Sequence, residues 1–361
     1  MEIPENTGLL IRAPQPTDWI AGGETGIALT ARNAKANWKD YLPGPERQKG
    51  RKVETMACVT YSALNMVETQ INWMIAAGMI SNKLIQQMAA LGYFDANCNL
   101  NFSDRFTAKM SGTGKSGNYL TAVWDSIRNH GLVPEKDWPG DVDNFTWEEY
   151  YKEIPQAIKD KAQKFREIFE VKYEFVYSGT GKSTDEIKEH MTQAPLQLAA
   201  PVCKPWADGV IKSCGSTIPQ HATQIFAYQK ELYVEIFDTY NPFAKKLAWD
   251  YPMPYILKGL VDLKQAIPAP NTAWTHNFTK DIEFGQRNSE VAALQHALKI
   301  DGTFPANVQE TGFYGLITAR AVTEYQRKYN VAPENVILAL MGTANRVGPM
   351  TRARLNQKFN K

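Results

Sequence analysis

Apolar residues recur at Leu64, Val67, Ile71, Met74 and Ile75, a spacing of three and four that predicts a helix over about 56–79 with one buried face. A second helical pattern covers 81–91. Residues 95–118 break the rhythm with Asn97, Asn99, Asn101, Gly112, Gly114 and Gly117, and read as loop. Tyr119, Val123, Trp124 and Ile127 predict a helix over 118–130 that Gly131 stops. The charged, aromatic stretch 143–170 reads as one or two amphipathic helices. Beyond it the period falls to two. Tyr173–Tyr177 is predicted as a strand, 184–192 as a helix capped by Ser183 or Thr184, and Leu196–Val202, Gln224–Tyr228, Leu232–Phe237 and Lys246–Trp249 as short strands. Helices first and strands second predict an α+β domain whose halves meet across a cleft.

Residues 1–50, rich in Pro, Gly and Asn, read as an extended arm with short structured pieces. Ala266-Ile267-Pro268-Ala269-Pro270-Asn271-Thr272 is proline-rich and uncharged, as a linker is. The predicted organisation is a domain over 1–265, a linker over 266–279 and a small all-α module over 280–361.

Composition narrows the function. Of 361 residues, 43% are hydrophobic and 22% charged, which supports a real core. A net charge of +2 points to neither nucleic acid nor an anionic membrane as partner. Cys58, Cys98, Cys203 and Cys214 are too few for a disulfide scaffold; whether Cys203 and Cys214 pair is left open by the sequence. Met1–Asn6 lacks the basic start and apolar run of a signal peptide, and no stretch is long and apolar enough to span a bilayer. The expectation is a soluble protein.

The candidate chemistry centres on Cys58, which Thr55-Met56-Ala57 deliver to the start of the first long helix. A thiol at a helix N-terminus faces the positive end of the helix dipole, the setting a nucleophilic cysteine needs. Without partners, such a cysteine reads as a small buried hydrophobe. Here His221 opens a predicted β run, and Asp238 closes the next one, so adjacent strands can bring imidazole and carboxylate together. Thiolate, imidazole and a group fixing the ring tautomer are the parts of nucleophilic acyl transfer.

Competing motifs are weaker. Ser-Gly-Thr-Gly-Lys-Ser occurs at 111–116 and 178–183, but Lys109 and Val176 stand where a phosphate-cradling loop needs its first glycine. Both copies read as turns. His130, His190, His276 and His296 lack ligand-type spacing and read as surface or helix-end residues, so neither metal nor cofactor is expected. Trp147, Phe145, Tyr150 and Tyr151 read as helix packing before a carbohydrate or peptide platform.

At these residues the chain resembles the papain-like cysteine peptidases, over 14–250. Pro14, Asp18 and Trp19 are similar to the family's mature N-terminus, and Cys58-Val59-Thr60-Tyr61-Ser62 to its Cys-Trp-Ala-Phe-Ser. Phe102-Ser103-Asp104-Arg105 is similar to Leu-Ser-Glu-Gln, and Gly117 through Trp138-Pro139 to its second helix and following turn. Ala194-Pro195-Leu196-Gln197-Leu198-Ala199 is similar to Gly-Pro-Val-Ser-Val-Ala, with His221-Ala222 and Asp238-Thr239-Tyr240 similar to His-Ala and Asn-Ser-Trp. The resemblance implies a two-lobed fold with Cys58 as nucleophile, His221 as acid and base, and Asp238 as its orienting partner. Ser116, Gly117, Gln220 and Tyr240 are the implied lining of the substrate cleft.

The departures are specific. The family's asparagine is Asp238, and its oxyanion glutamine, six residues before the nucleophile, is Lys52; a longer loop would bring Gln48 there instead. Thr55 replaces a disulfide cysteine, and residues 23–48 look inserted. Only thirteen residues precede Pro14, so the simpler expectation is an enzyme made ready to work, with gating by 1–13 as the alternative.

In the last eighty residues or so, Leu294-Gln295, Leu298, Gly302, Thr311-Gly312-Phe313-Tyr314-Gly315, Thr318, Ala321-Val322 and Tyr325-Gln326 form a long pattern, echoed by Gly348-Pro349-Met350-Thr351. It resembles the three-helix peptidoglycan-binding module of bacterial and phage wall hydrolases, and implies a wall-binding role for Gly312, Tyr314, Gly315, Thr318 and Tyr325. Together the two resemblances imply a cysteine endopeptidase acting on peptidoglycan peptides at the wall, after lysis or from a phage particle. The alternatives are a protein-processing peptidase that docks through the module, and an impaired wall-binding protein.

Overall fold

The computed structural model describes residues 7–12, 18, 31–178, 184–203, 206, 209–212, 215–230, 232–264, 274–305, 308, 310–332 and 346–360. The chain divides into two compact units, Met1–Lys264 and Gln265–Lys361. Pro14, Trp19, Ser183, Cys214 and the linker 266–272 lie outside the described residues.

The first unit is built on helix α1 (Cys58–Ala76), in which fifteen residues of the sequence Cys58–Met74 are buried, polar ones included. A helix buried nearly all round is a core element rather than a surface one. It packs on a sheet and against helices α3 (Asp104–Met110) and α4 (Leu120–His130), with α2 (Asn82–Leu91), α5 (Trp147–Tyr150) and α6 (Gln156–Ile168) completing the helical half. The expected loop over 95–118 in fact contains α3. Ser103 caps it by accepting from the Phe106 N–H at 3.0 Å, and buried Phe106 and Ala108 anchor it.

The sheet runs β3 (Phe169–Ser178), β9 (Tyr255–Leu263), β4 (Leu196–Ala200), β6 (His221–Gln229), β7 (Tyr233–Phe237), β8 (Ala244–Ala248), β5 (Val210–Ile211). Every neighbouring pair is antiparallel except β5 with β8. Helix α7 (Thr184–Met191) joins β3 to β4. Strand β9 has no counterpart in the sequence reading, because Lys258 and Gly259 interrupt its alternation. Gly259 is required there: a Cβ would fall 2.0 Å from the Trp124 ring. Lys258, fully buried, is held by Glu174 at 2.7 Å and Gln193 at 2.5 Å. A two-stranded parallel pair, β1 (Leu9–Leu10) with β2 (Asn118–Tyr119), lies apart from this sheet.

The aromatic cluster is packing, as expected. Tyr150 is buried, and the Arg105 guanidinium lies 4.5 Å from the ring centres of both Phe145 and Trp138. Cys203 is half of a disulfide and Cys58 and Cys98 are free. Among the described residues no helix is long and apolar enough to cross a membrane.

The second unit has its own core, with Val291, Leu294 and Leu298 of α8 (Ser289–Asp301), Val322 and Tyr325 of α9 (Leu316–Lys328) and Leu355 of α10 (Pro349–Phe359). Buried Gln295 is its polar keystone. It accepts from the Gly312 N–H and donates to the Phe313 carbonyl and Thr318 hydroxyl, each at 2.9 Å. This corrects the implied role of the motif residues. Tyr314, Thr318 and Tyr325 are buried, Gly312 supplies a left-handed turn at φ 69°, and Gly315 caps α9. They build the module rather than its surface.

Candidate active site

Ala57 is the N-cap of α1 and Cys58 its first residue, fully buried. The first turn is fastened to the sheet. Gln197 on β4 donates to the Val59 carbonyl at 2.9 Å and to the Ser62 hydroxyl at 2.8 Å, and accepts from the Trp124 indole at 2.8 Å. Ala200, at the far end of β4, pairs with His221, the first residue of β6. The same strand therefore places both the cysteine's helix and the histidine.

Asp238 follows β7, where its N–H donates to the Phe243 carbonyl at 2.7 Å. Its Oδ1 lies 2.6 Å from His221 Nε2 and accepts from the Thr239 N–H at 2.6 Å; its Oδ2 accepts from Trp206 Nε1 at 2.6 Å and Lys245 Nζ at 2.7 Å. Burial works against the charged carboxylate, but His221 and Lys245 outweigh it and hold the group well below the usual carboxylate range. Burial likewise opposes charge on His221, and Asp238 overrides it, raising the imidazole to about 10.

The other ring nitrogen is on the side of Cys58, which also favours the charged ring, and a third group sits against both. His221 Nδ1 is 2.8 Å from the hydroxyl of Thr7, which in turn lies 3.9 Å from Cys58 Sγ and donates to the Gln220 carbonyl at 2.5 Å. A hydroxyl has one proton. Given to Gln220, it leaves the Thr7 oxygen to accept from Nδ1–H, an arrangement consistent with the raised pKa of the ring.

Thr7 is one end of a strip of chain lying in the cleft. Its carbonyl accepts from Gln48 Nε2 at 2.9 Å, and the Gly8 carbonyl accepts from the Asn118 N–H at 2.9 Å. The fit needs two glycines. A Cβ on Gly8, which has φ +103°, would lie 1.9 Å from the Met56 carbonyl oxygen, and one on Gly117 would lie 2.0 Å from the Gly8 carbonyl oxygen. The expectation of an open, ready site does not hold here. Residues 7–10 fill the site like a wedge, with the Thr7 hydroxyl set against both imidazole and sulfur.

Around that wedge the structure gathers Cys58, His221, Asp238, Gln48, Gly117, Gln220 and Tyr240. The Tyr240 ring packs 5.4 Å from the His221 ring, and its hydroxyl donates to Glu54 at 2.9 Å. Ser116 is exposed on the turn beside Gly117. Gln48 arrives by a small loop: Thr55 N–H donates to the Gln48 carbonyl at 3.1 Å and Gly50 N–H to the Val53 carbonyl at 3.0 Å, so the intervening residues bulge out. The Thr239 hydroxyl donates to Gln48 Oε1 at 2.8 Å, which aims the amide nitrogen at the Thr7 carbonyl. Sequence reasoning missed Thr7, Trp206 and Lys245. One signal was available for the last: in Ala244-Lys245-Lys246-Leu247-Ala248 a strand must point one lysine inward.

Comparison with known proteins bears most directly on the second unit. Residues 287–334 match the family model described as a putative peptidoglycan binding domain. That stretch of the C-terminal unit is similar to the family, and it is the part of the chain with the longest motif pattern. No curated protein matches the chain by sequence. Among solved structures, the chain is similar to xylellain, a cysteine protease from Xylella fastidiosa, at 15% identity over 73% of this chain and 98% of that one, with a TM-score of 0.46. It is also similar to the digestive procathepsin L 3 of Tenebrio molitor larval midgut, at 11% identity over 70% and 76% of the two chains, TM-score 0.45. A procathepsin B from Trypanosoma congolense matches at 11% identity over 73% and 87%, TM-score 0.46.

Proposed function

We propose that the chain is a papain-like cysteine endopeptidase that cleaves peptides of the bacterial wall, brought to them by its C-terminal unit and released by lysis or carried in a phage particle. The observation that carries the reading is the placement of His221, gripped by Asp238 through Nε2 at 2.6 Å with its Nδ1 side toward Cys58. With Thr7 withdrawn, a peptide carbonyl can take its place beside the sulfur and that nitrogen. The thiolate of Cys58 attacks the peptide carbonyl, and His221 passes its proton to the leaving amine. A water activated by the now neutral ring then releases the acyl group. Gln48 is the side-chain donor for the oxyanion, because its amide already binds a peptide carbonyl at this place. A wall-binding unit raises the local concentration of substrate without altering the chemistry.

Gln48→Ala is expected to lower kcat by about 10²–10³ with little change in KM, the usual loss for one oxyanion donor. The reading as a whole is tested with defined muropeptides and purified sacculi. Mass spectrometry should show peptide-bond products from muropeptides, and the full chain should sediment with sacculi while a protein ending at Lys264 stays in solution. Release of fragments from casein but not from muropeptides would move the substrate to proteins and leave the cysteine chemistry standing.

A further inference from the structure

The row of charges at the site does not end at Asp238. Lys245, on β8, is buried, and all three of its N–H bonds are taken: by Asp238 Oδ2 at 2.7 Å and by the carbonyls of Tyr240 and Pro242 at 2.5 Å each. Trp206 donates to the same carboxylate oxygen and lies under the lysine, with the ammonium 5.9 Å from its ring centre. The side chains of His221, Asp238 and Lys245 have no solvent exposure. Sulfur, imidazole, carboxylate and ammonium thus form a row out of water, where an unbalanced charge is costly.

A neutral acceptor in the place of Asp238 would balance a thiolate–imidazolium pair without help. A carboxylate adds a negative charge, which binds the ring proton more tightly and makes it harder to hand to a leaving amine. We propose that Lys245 is a positioning residue that cancels this charge, so that Asp238 and Lys245 together present His221 with the field of a neutral hydrogen-bond acceptor. The proposal rests on the peptidase reading above, and it adds why this chain carries an aspartate and a buried lysine as a pair. Other ionisable groups near the row are Tyr240, Tyr151 and Glu54. Burial keeps both tyrosines neutral, and Glu54 is engaged by Gln48 and Tyr240 rather than by the row itself.

The test compares the pH dependence of Cys58 alkylation by iodoacetamide in the native protein, Lys245→Met, Asp238→Asn and the double variant. Alkylation reads the charges at the site whether or not any peptide is cleaved, so a failure here is separable from a wrong substrate. Removing the ammonium favours the protonated form of every neighbour, so both limbs of the Lys245→Met profile should move to higher pH, by about one unit or more. Asp238→Asn leaves the ammonium uncompensated and should move them to lower pH. The double variant should return the limbs close to their native positions and label at least about tenfold faster than the two single effects combined predict. A lysine that merely props the strand would lower the amount of folded protein without moving the limbs. Should Lys245→Met fail to fold while the double variant folds, charge balance is again what separates them. Native limb positions in Lys245→Met, or a double variant that shows only the sum of the single effects, overturns the proposal.

Discussion

Gly8→Val is expected to make the protein more reactive, not less. The added side chain would fall 1.9 Å from the Met56 carbonyl oxygen and 2.7 Å from Met56 Cα, on backbone that cannot rotate away, at a φ of +103° that L-residues rarely adopt. Strained positions of this kind cost about 1–3 kcal/mol before any clash is counted. The strip 7–10 should therefore leave the cleft, taking the Thr7 hydroxyl away from Cys58 and His221. Alkylation of Cys58 is expected to speed up by about tenfold or more, since each 1.4 kcal/mol of lost closure is a factor of ten in the open population. The thermal midpoint should fall slightly as buried Leu9 is released. An unchanged labelling rate, with Gly8→Val folded, would mean that the strip does not guard the sulfur.

The second large effect is on hydrolysis itself. Cys58→Ala and His221→Ala should each remove about 10⁴-fold or more of kcat/KM, and combining them should cost little beyond either one, because the two groups act as a unit. Both are buried, so a melting curve must accompany the rates. Replacing His221 also removes the partner that holds the Asp238 carboxylate charged, and His221→Ala should therefore be the less stable of the two. Independent, multiplying losses would show that the pair is not coupled and would remove the acyl-transfer mechanism.

The parts of this protein that the sequence made legible are those where period and chemistry coincide. Leu64 to Ile75 announce α1 through their spacing, and His221 and Asp238 lie at strand ends where short β runs visibly start and stop. Gln295 and Thr318 were legible as a pattern, yet their place in the core was not, because a buried glutamine and a wall-contacting one look alike in one dimension. Asp104–Met110 was lost to the asparagines and glycines around it. Strand β9 vanished behind Lys258, whose charge is cancelled by Glu174, far away in sequence. Thr7 is the extreme case. Nothing near it in the chain predicts that a short polar residue will stand against a thiol and an imidazole more than fifty and two hundred positions away. Loop closures of that length leave no local trace.

Gln197 ties together more than its own strand. Its amide joins the opening turn of α1, the indole of α4 and strand β4, whose other end aligns His221. Any hinge that tried to part the helical and sheet halves at this seam would have to break buried hydrogen bonds to an amide with no water to replace them. Cys58 and His221 are thus mounted on one bracket of buried hydrogen bonds, which resists parting them. Access for an incoming peptide is then a matter of peeling away a few residues of light chain, a much smaller movement than opening a jaw.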